Sequence, residues 1–201
     1  MSMMQKQARK SLIERKTRET EIRLELDLDG SGQYDIETGI GFFNHMLESF
    51  AKHALFDLNL RAKGDLQVDD HHAVEDVGIC LGQAIRQALG SAAGMRRFGF
   101  FVLPMGEAKA EAAVDISNRP FFVYNVQVEN LRAGDFDISL VEEFFGALAQ
   151  SAGLDLHIEL RYGKNPHHVA EAIFKATARA LKMALEIDPR VQGIPSVKGS
   201  L

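Results

Sequence analysis

Two short strings, His71-His72-Ala73-Val74-Glu75 and His167-His168-Val169-Ala170-Glu171, place the same His-His-x-x-Glu pattern in separate halves of the chain. A second match precedes each: Phe56-Asp57-Leu58-Asn59-Leu60 resembles Leu154-Asp155-Leu156-His157-Ile158, at nearly the same spacing. A repeat of this kind means two copies of one supersecondary plan, and it restricts the chain to folds that can be doubled.

The hydrophobic pattern supplies that plan. Ile22, Leu24, Leu26 and Leu28 alternate with polar residues, as in a half-buried strand, and Gly30-Ser31-Gly32 reads as a turn. Residues 41–53 have helical spacing and 55–62 are strand-like. Residues 70–89 form a long helix, capped by Asp69 or Asp70 and closed by Gly90. In the second half 108–116 and 122–128 alternate, 140–152 is helical, 154–162 is a strand, and 167–186 is a helix. Asn165-Pro166 suits the start of that helix, and Pro189 lies beyond its end. The expected fold is α+β: internally duplicated βαβ-type halves, with helices packed on one face of a mixed sheet in each half. The expected organisation is a flexible arm over 1–14, half-repeats over 15–93 and 94–187, and a substrate-binding tail over 188–201.

Charge and composition exclude other classes. A net charge of -5 argues against a broad nucleic-acid surface, which needs clustered Lys and Arg, so any phosphate contact should be a local pocket. The single cysteine, Cys80, lies in the apolar run 77–81 and reads as a packed core thiol. No apolar run reaches the roughly 18 residues of a membrane helix, and residues 1–16 lack the apolar core of a signal peptide. A cytoplasmic protein without membrane partners is expected.

Packing calls for apolar periodicity, not repeated ligands, so the doubled motif points to metal. His71 and Glu75 are i and i+4 and share a helix face, while His72 points about 100° away. One half therefore offers a His/Glu pair to one ion and a single His to another. By the repeat, His167 and Glu171 form the second pair and His168 is left over. His45 and its repeat counterpart Glu143 are candidates for the missing ligands. Imidazole and carboxylate without thiolate suit Mn, Fe, Zn or Ni.

At these residues the chain resembles the imidazoleglycerol-phosphate dehydratase family. The resemblance rests on the segments 68–79 and 163–175 around the two motifs. It extends to 15–20, to Thr38-Gly39-Ile40-Gly41-Phe42-Phe43-Asn44-His45, to Asn118-Arg119-Pro120, and to Pro195-Ser196-Val197-Lys198-Gly199. It implies dehydration of D-erythro-imidazoleglycerol phosphate to imidazole acetol phosphate in histidine biosynthesis, by a di-manganese site through an imidazolate. It implies one ion held by His45, His72, His167 and Glu171, and another by His71, Glu75, His168 and the Glu143 position. Substrate contacts carry over to Glu19, Arg97, Arg119, Lys175, Ser196 and Lys198, with Glu171 and Glu19 as candidates for proton transfer. It also implies active sites between subunits of a homo-oligomer, trimers assembling into an octahedral 24-mer. Three positions depart from the family pattern: Glu143 stands where His is common, Asn44 where Asp is, and Ser49 where many members have Gln. Two other readings fit the ligands alone, a di-metal hydrolase of a small phosphorylated substrate and a non-catalytic metal-dependent assembly protein.

Overall fold

The computed structural model describes residues 8–200. In chain order the elements are β1 (Lys10–Lys16), β2 (Thr20–Asp27), β3 (Tyr34–Glu37), α1 (Gly41–Ala54), β4 (Asp57–Gly64) and α2 (His71–Leu89). The second half runs β5 (Phe98–Met105), β6 (Ala108–Asp115), β7 (Phe121–Asn125), the short pair β8 (Arg132–Ala133) and β9 (Phe136–Asp137), α3 (Leu140–Ala152), β10 (Asp155–Tyr162) and α4 (Pro166–Leu185). The first sheet has the order β1-β2-β4-β3 and the second β5-β6-β10-β7. In both, the first three strands are antiparallel and the last pair is parallel, so the duplication expected from the motifs is a duplication of topology.

β1 corrects one expectation. It begins at Lys10, inside the stretch read as an arm, and pairs with β2 along its whole length. Residues 1–7 of that arm lie outside the described residues.

Strand alternation turns one face of each sheet inward. Ile22, Leu24 and Leu26 of β2 are buried, and so are Ala108, Ala110, Ala112 and Val114 of β6. Onto these faces pack α2, against β1 and β2, and α4, against β5 and β6. The remaining helices cross between halves: α1 lies on α4, and α3 on α2. The α2–α3 contact is close because α2 carries two glycines at it. A Cβ on Gly78 would come within 2.6 Å of the Phe144 carbonyl oxygen, and one on Gly82 within 2.6 Å of that of Leu148. Phe43, Phe144 and Phe174, from α1, α3 and α4, lock the halves together. Their ring centroids lie 5.4 Å apart for Phe43–Phe144 and 5.2 Å for Phe144–Phe174. Truncating one such buried ring to alanine typically costs about 3–5 kcal/mol.

The outward faces differ. That of the first sheet is laced with ion pairs, Arg23 with Glu14 and Glu25, and Arg61 with Asp35. That of the second exposes Phe98, Phe100 and Phe121 at 58%, 65% and 63% of their surface.

Candidate metal centre

The start of α4 is set by Asn165. Its backbone is extended, its side-chain oxygen accepts the N–H of His167 at 2.9 Å and of His168 at 3.5 Å, and Pro166 follows in the first turn. This places His167 in the first turn and Glu171 one turn on, with His167 Nε2 3.3 Å from Glu171 Oε2. The crossing of α1 over α4 brings in His45, whose ring centroid is 5.8 Å from that of His167. Ligating atoms of His45, His167 and Glu171 all lie within 4.8 Å of one another. Glu171 is buried, and Lys175 Nζ donates to its Oε1 at 2.7 Å. Burial alone would push this carboxyl up. The Lys175 hydrogen bond and the charges of Lys175, His45 and His167 prevail, so it sits below the usual range and is an anion at neutral pH.

The other half repeats the frame with different side chains. α1 ends at the left-handed Leu55, whose N–H bonds to the Ala51 carbonyl; α3 ends at the left-handed Gly153, whose N–H bonds to that of Ala149. His45 and Glu143 each lie ten residues before these caps and are therefore counterparts. His71 and Glu75 face each other on α2, Nε2 to Oε2 at 3.8 Å. The N–H of His71 is accepted by Asp69 Oδ1 at 2.9 Å, so of the two cap residues considered Asp69 makes the side-chain bond. Glu143 is exposed, and among the described residues a group of three potential ligands forms only around His45.

His72 and His168 turn away from both groups, as their place on the helices requires. His72 Nδ1 is 3.2 Å from both Asp65 carboxylate oxygens, and its Nε2 is 3.8 Å from Glu19 Oε1. The Asp65 hydrogen bond raises the His72 pKa, partly opposed by desolvation, and Glu19 adds to the rise. His168 Nδ1 lies 2.6 Å from Glu107 Oε2. That bond, with the backbone N–H groups of Asn165 and Lys164, holds the Glu107 carboxyl down at about 2. Asp65 and Glu107 were not among the residues singled out in the sequence. Glu107 sits in the β5–β6 turn where Glu19 sits in the β1–β2 turn, a correspondence visible only once β1 and β5 are placed.

The basic residues divide into two places. Arg97, Arg119, Ser196 and Lys198 line a cleft of about 590 Å³ with Ser117. Arg97 grips Asp115 through Nε and Nη2 at 2.7 and 3.0 Å, and its Nη1 donates to the Pro195 carbonyl at 3.0 Å. It thus fastens the C-terminal tail to the second sheet. Lys175 stands apart, with Glu171 and with Met105 Sδ at 3.7 Å. On α1 the face of His45 continues through Ser49 to His53. Burial, with the charges of Lys175 and Arg179, pushes the His53 imidazole below its usual pKa. Ser49 Oγ is buried and has no hydrogen-bond partner among the described residues. Asn44 Oδ1 accepts both the N–H and the hydroxyl of Thr38, at 3.0 and 2.6 Å. One amide carbonyl oxygen therefore satisfies both Thr38 donors.

The family model described as imidazoleglycerol-phosphate dehydratase matches residues 38–181. The imidazoleglycerol-phosphate dehydratase of Jannaschia sp. (strain CCS1) is 55% identical over 194 residues, 96% of this chain and all of that one. That of Acidiphilium cryptum (strain JF-5) is 58% identical over 195 residues, with the same coverage. Among solved structures, imidazoleglycerol-phosphate dehydratase from Staphylococcus aureus superposes with a TM-score of 0.81 at 39% identity, covering 89% of this chain and 99% of that one. The Pyrococcus furiosus enzyme in complex with (S)-C348 gives 0.80 at 36%, covering 94% and 100%.

Proposed function

The chain belongs to the imidazoleglycerol-phosphate dehydratase family, hydro-lyases of histidine biosynthesis, and from that premise we propose that it works with two manganese ions per active site. The observation that carries the proposal is the convergence of His45, His167 and the buried Glu171 from two helices of different halves. Two imidazoles and one carboxylate match a divalent ion that accepts nitrogen and oxygen donors.

His45, His72, His167 and Glu171 would hold one ion, and His71, Glu75, Glu143 and His168 the other. When bound, the two ions supply Lewis acidity that favours the imidazolate form of the substrate ring. The chain's own residues orient the rest of the substrate. Arg119, Ser196 and Lys198 offer donors to its phosphate from the cleft, and Arg97 holds the tail that carries two of them. Lys175 and Glu19 contact the substrate nearer the ring. Loss of the hydroxyl requires removal of a neighbouring C–H proton, and Glu171 and Glu19 are the carboxylates we assign to proton transfer. Glu171 is assigned here because it is buried where His167 and Lys175 meet it, at 3.3 and 2.7 Å.

His72 and His168 are turned from the clusters of their own chain, so we assign them to clusters of other copies. This makes the enzyme a homo-oligomer, trimers assembling into an octahedral 24-mer as the family resemblance implies. The exposed phenylalanine face of the second sheet supports association. Among the described residues no helix is long and apolar enough to cross a membrane, and we place the enzyme in the cytoplasm.

The test is to incubate manganese-loaded protein with imidazoleglycerol phosphate, measure bound metal and identify the product. Imidazole acetol phosphate, one water lighter than the substrate, is expected. A product formed by addition of water would make the chain a hydrolase, and metal binding without turnover would make it an assembly protein.

A further inference from the structure

Both histidines that leave their own cluster are tied at Nδ1 to a carboxylate of their own chain. His168 Nδ1 meets Glu107 Oε2 at 2.6 Å, and His72 Nδ1 meets Asp65 at 3.2 Å. Imidazole has two nitrogens, and the one bonded to a carboxylate keeps the proton, so the other presents its lone pair. We propose that Glu107 and Asp65 are positioning residues that fix the tautomer and ring direction of His168 and His72, so that Nε2 of each is delivered outward as a metal ligand. The inference rests on the di-metal reading above and assigns two residues which that reading does not use.

The carboxylates are themselves anchored. Glu107 Oε1 accepts the N–H of Asn165 at 2.7 Å and of Lys164 at 3.2 Å, which joins the β5–β6 turn to the loop that starts α4. The turn presses against the ring as well. A Cβ on Gly106, where φ is +56°, would lie 2.8 Å from His168 Nδ1. Asp65 is held through its backbone, its N–H bonding the Glu19 carbonyl at 3.1 Å and its carbonyl accepting from Val68 at 2.8 Å.

The two carboxylates are not repeat counterparts. Glu107 corresponds to Glu19, yet Glu19 approaches the opposite nitrogen of its histidine, Nε2, at 3.8 Å. In the second half the turn glutamate orients the histidine. In the first half Asp65 has taken that task and leaves Glu19 free for the substrate. A structural ion pair would act differently. Glu107 and His168 are well exposed, 44% and 34% at the side chain, and exposed pairs contribute little to stability. A positioning carboxylate instead changes metal affinity, typically 10–100-fold.

The experiment equilibrates Mn2+-loaded protein against graded chelator and measures the manganese retained per chain, with the melting temperature as control. In Glu107→Ala one class of site should weaken by about 10–100-fold while the other class and the melting temperature stay as in wild type. Glu107→Gln can turn its amide oxygen to Nδ1–H only by facing its NH2 to the N–H groups of Asn165 and Lys164, so it should weaken the same class of site, by less than Glu107→Ala. Asp65→Ala should weaken the other class. Unchanged retention in Glu107→Ala overturns the inference. Equal loss at both classes with a lowered melting temperature also overturns it, by making Glu107 a residue of the fold. If wild type retains no manganese, the metal reading itself has failed; if wild type retains it and Glu107→Ala matches wild type, only the present inference has.

Discussion

Lys175 Nζ lies 2.7 Å from Glu171 Oε1, one helical turn away, while the other oxygen of the same carboxylate faces His167 at 3.3 Å. The carboxylate is buried, so its charge depends on these neighbours. Lys175→Met leaves a buried anion without its hydrogen-bond donor. We expect a loss of about 1–3 kcal/mol in unfolding free energy, read by denaturant titration, and at least a tenfold fall in turnover. Wild-type stability in the variant would show that the bond does not hold the site.

Arg97 spends its fork on Asp115 and the Pro195 carbonyl. Arg97→Ala should therefore release the tail that carries Ser196 and Lys198. The Michaelis constant should rise about 10–100-fold, consistent with losing charge-assisted bonds of about 1.5–3 kcal/mol, and metal content should stay the same. Limited proteolysis should cut faster near Pro195. Arg97→Lys keeps the charge but not the paired geometry and should fall between the two. Loss of metal in either variant would move Arg97 into the metal site.

Glu143 is the repeat counterpart of His45, and in the two-metal proposal it would hold the second ion. Glu143→Ala should lose one of the two ions, and Glu143→His should retain both, since imidazole is an equally acceptable donor. Elemental analysis of the purified variants decides it. Full occupancy in Glu143→Ala would free Glu143 from any ligand role.

Cys80 is buried in α2, and burial pushes its thiol up to about 11, with Arg15 pulling it slightly back. Its folded pKa is raised above the unfolded value, so the neutral thiol favours the native state. That contribution is complete below the unfolded pKa, about 8.5, and is lost as pH rises towards 11. Native protein at pH 8 should resist iodoacetamide, and denatured protein should be labelled fully, as mass spectrometry would show.

Much of this was readable from the chain, and the exceptions have physical causes. α3 runs over 140–152 as its spacing predicts, because Val141, Phe144, Phe145 and Leu148 repeat with the helical period. α4 was marked at both ends by Asn165-Pro166 and by Pro189 beyond it, and it runs Pro166–Leu185. β1 escaped notice because both its faces carry charge, as an edge strand tolerates. β5 escaped because Phe98-Gly99-Phe100-Phe101 has apolar side chains on both faces, and its outward phenylalanines hide the alternation. At the site the repeated motif gave away His71, His72, Glu75, His167, His168 and Glu171. Nothing local distinguishes Asp65 or Glu107 from any carboxylate in a turn. Their role follows from which ring they face, and that depends on how α2 and α4 meet the sheets.

The crossing of helices between halves has a consequence for how such a chain could have arisen. His45 on α1 completes a group on α4, and Glu143 on α3 stands in the corresponding place beside α2. A single half has both helices but cannot fold one onto the other in this way. Two identical half-length chains could, each lending its shorter helix to the longer helix of its twin. Within one chain the two positions need not be identical, and they are not: one carries His45 and the other Glu143.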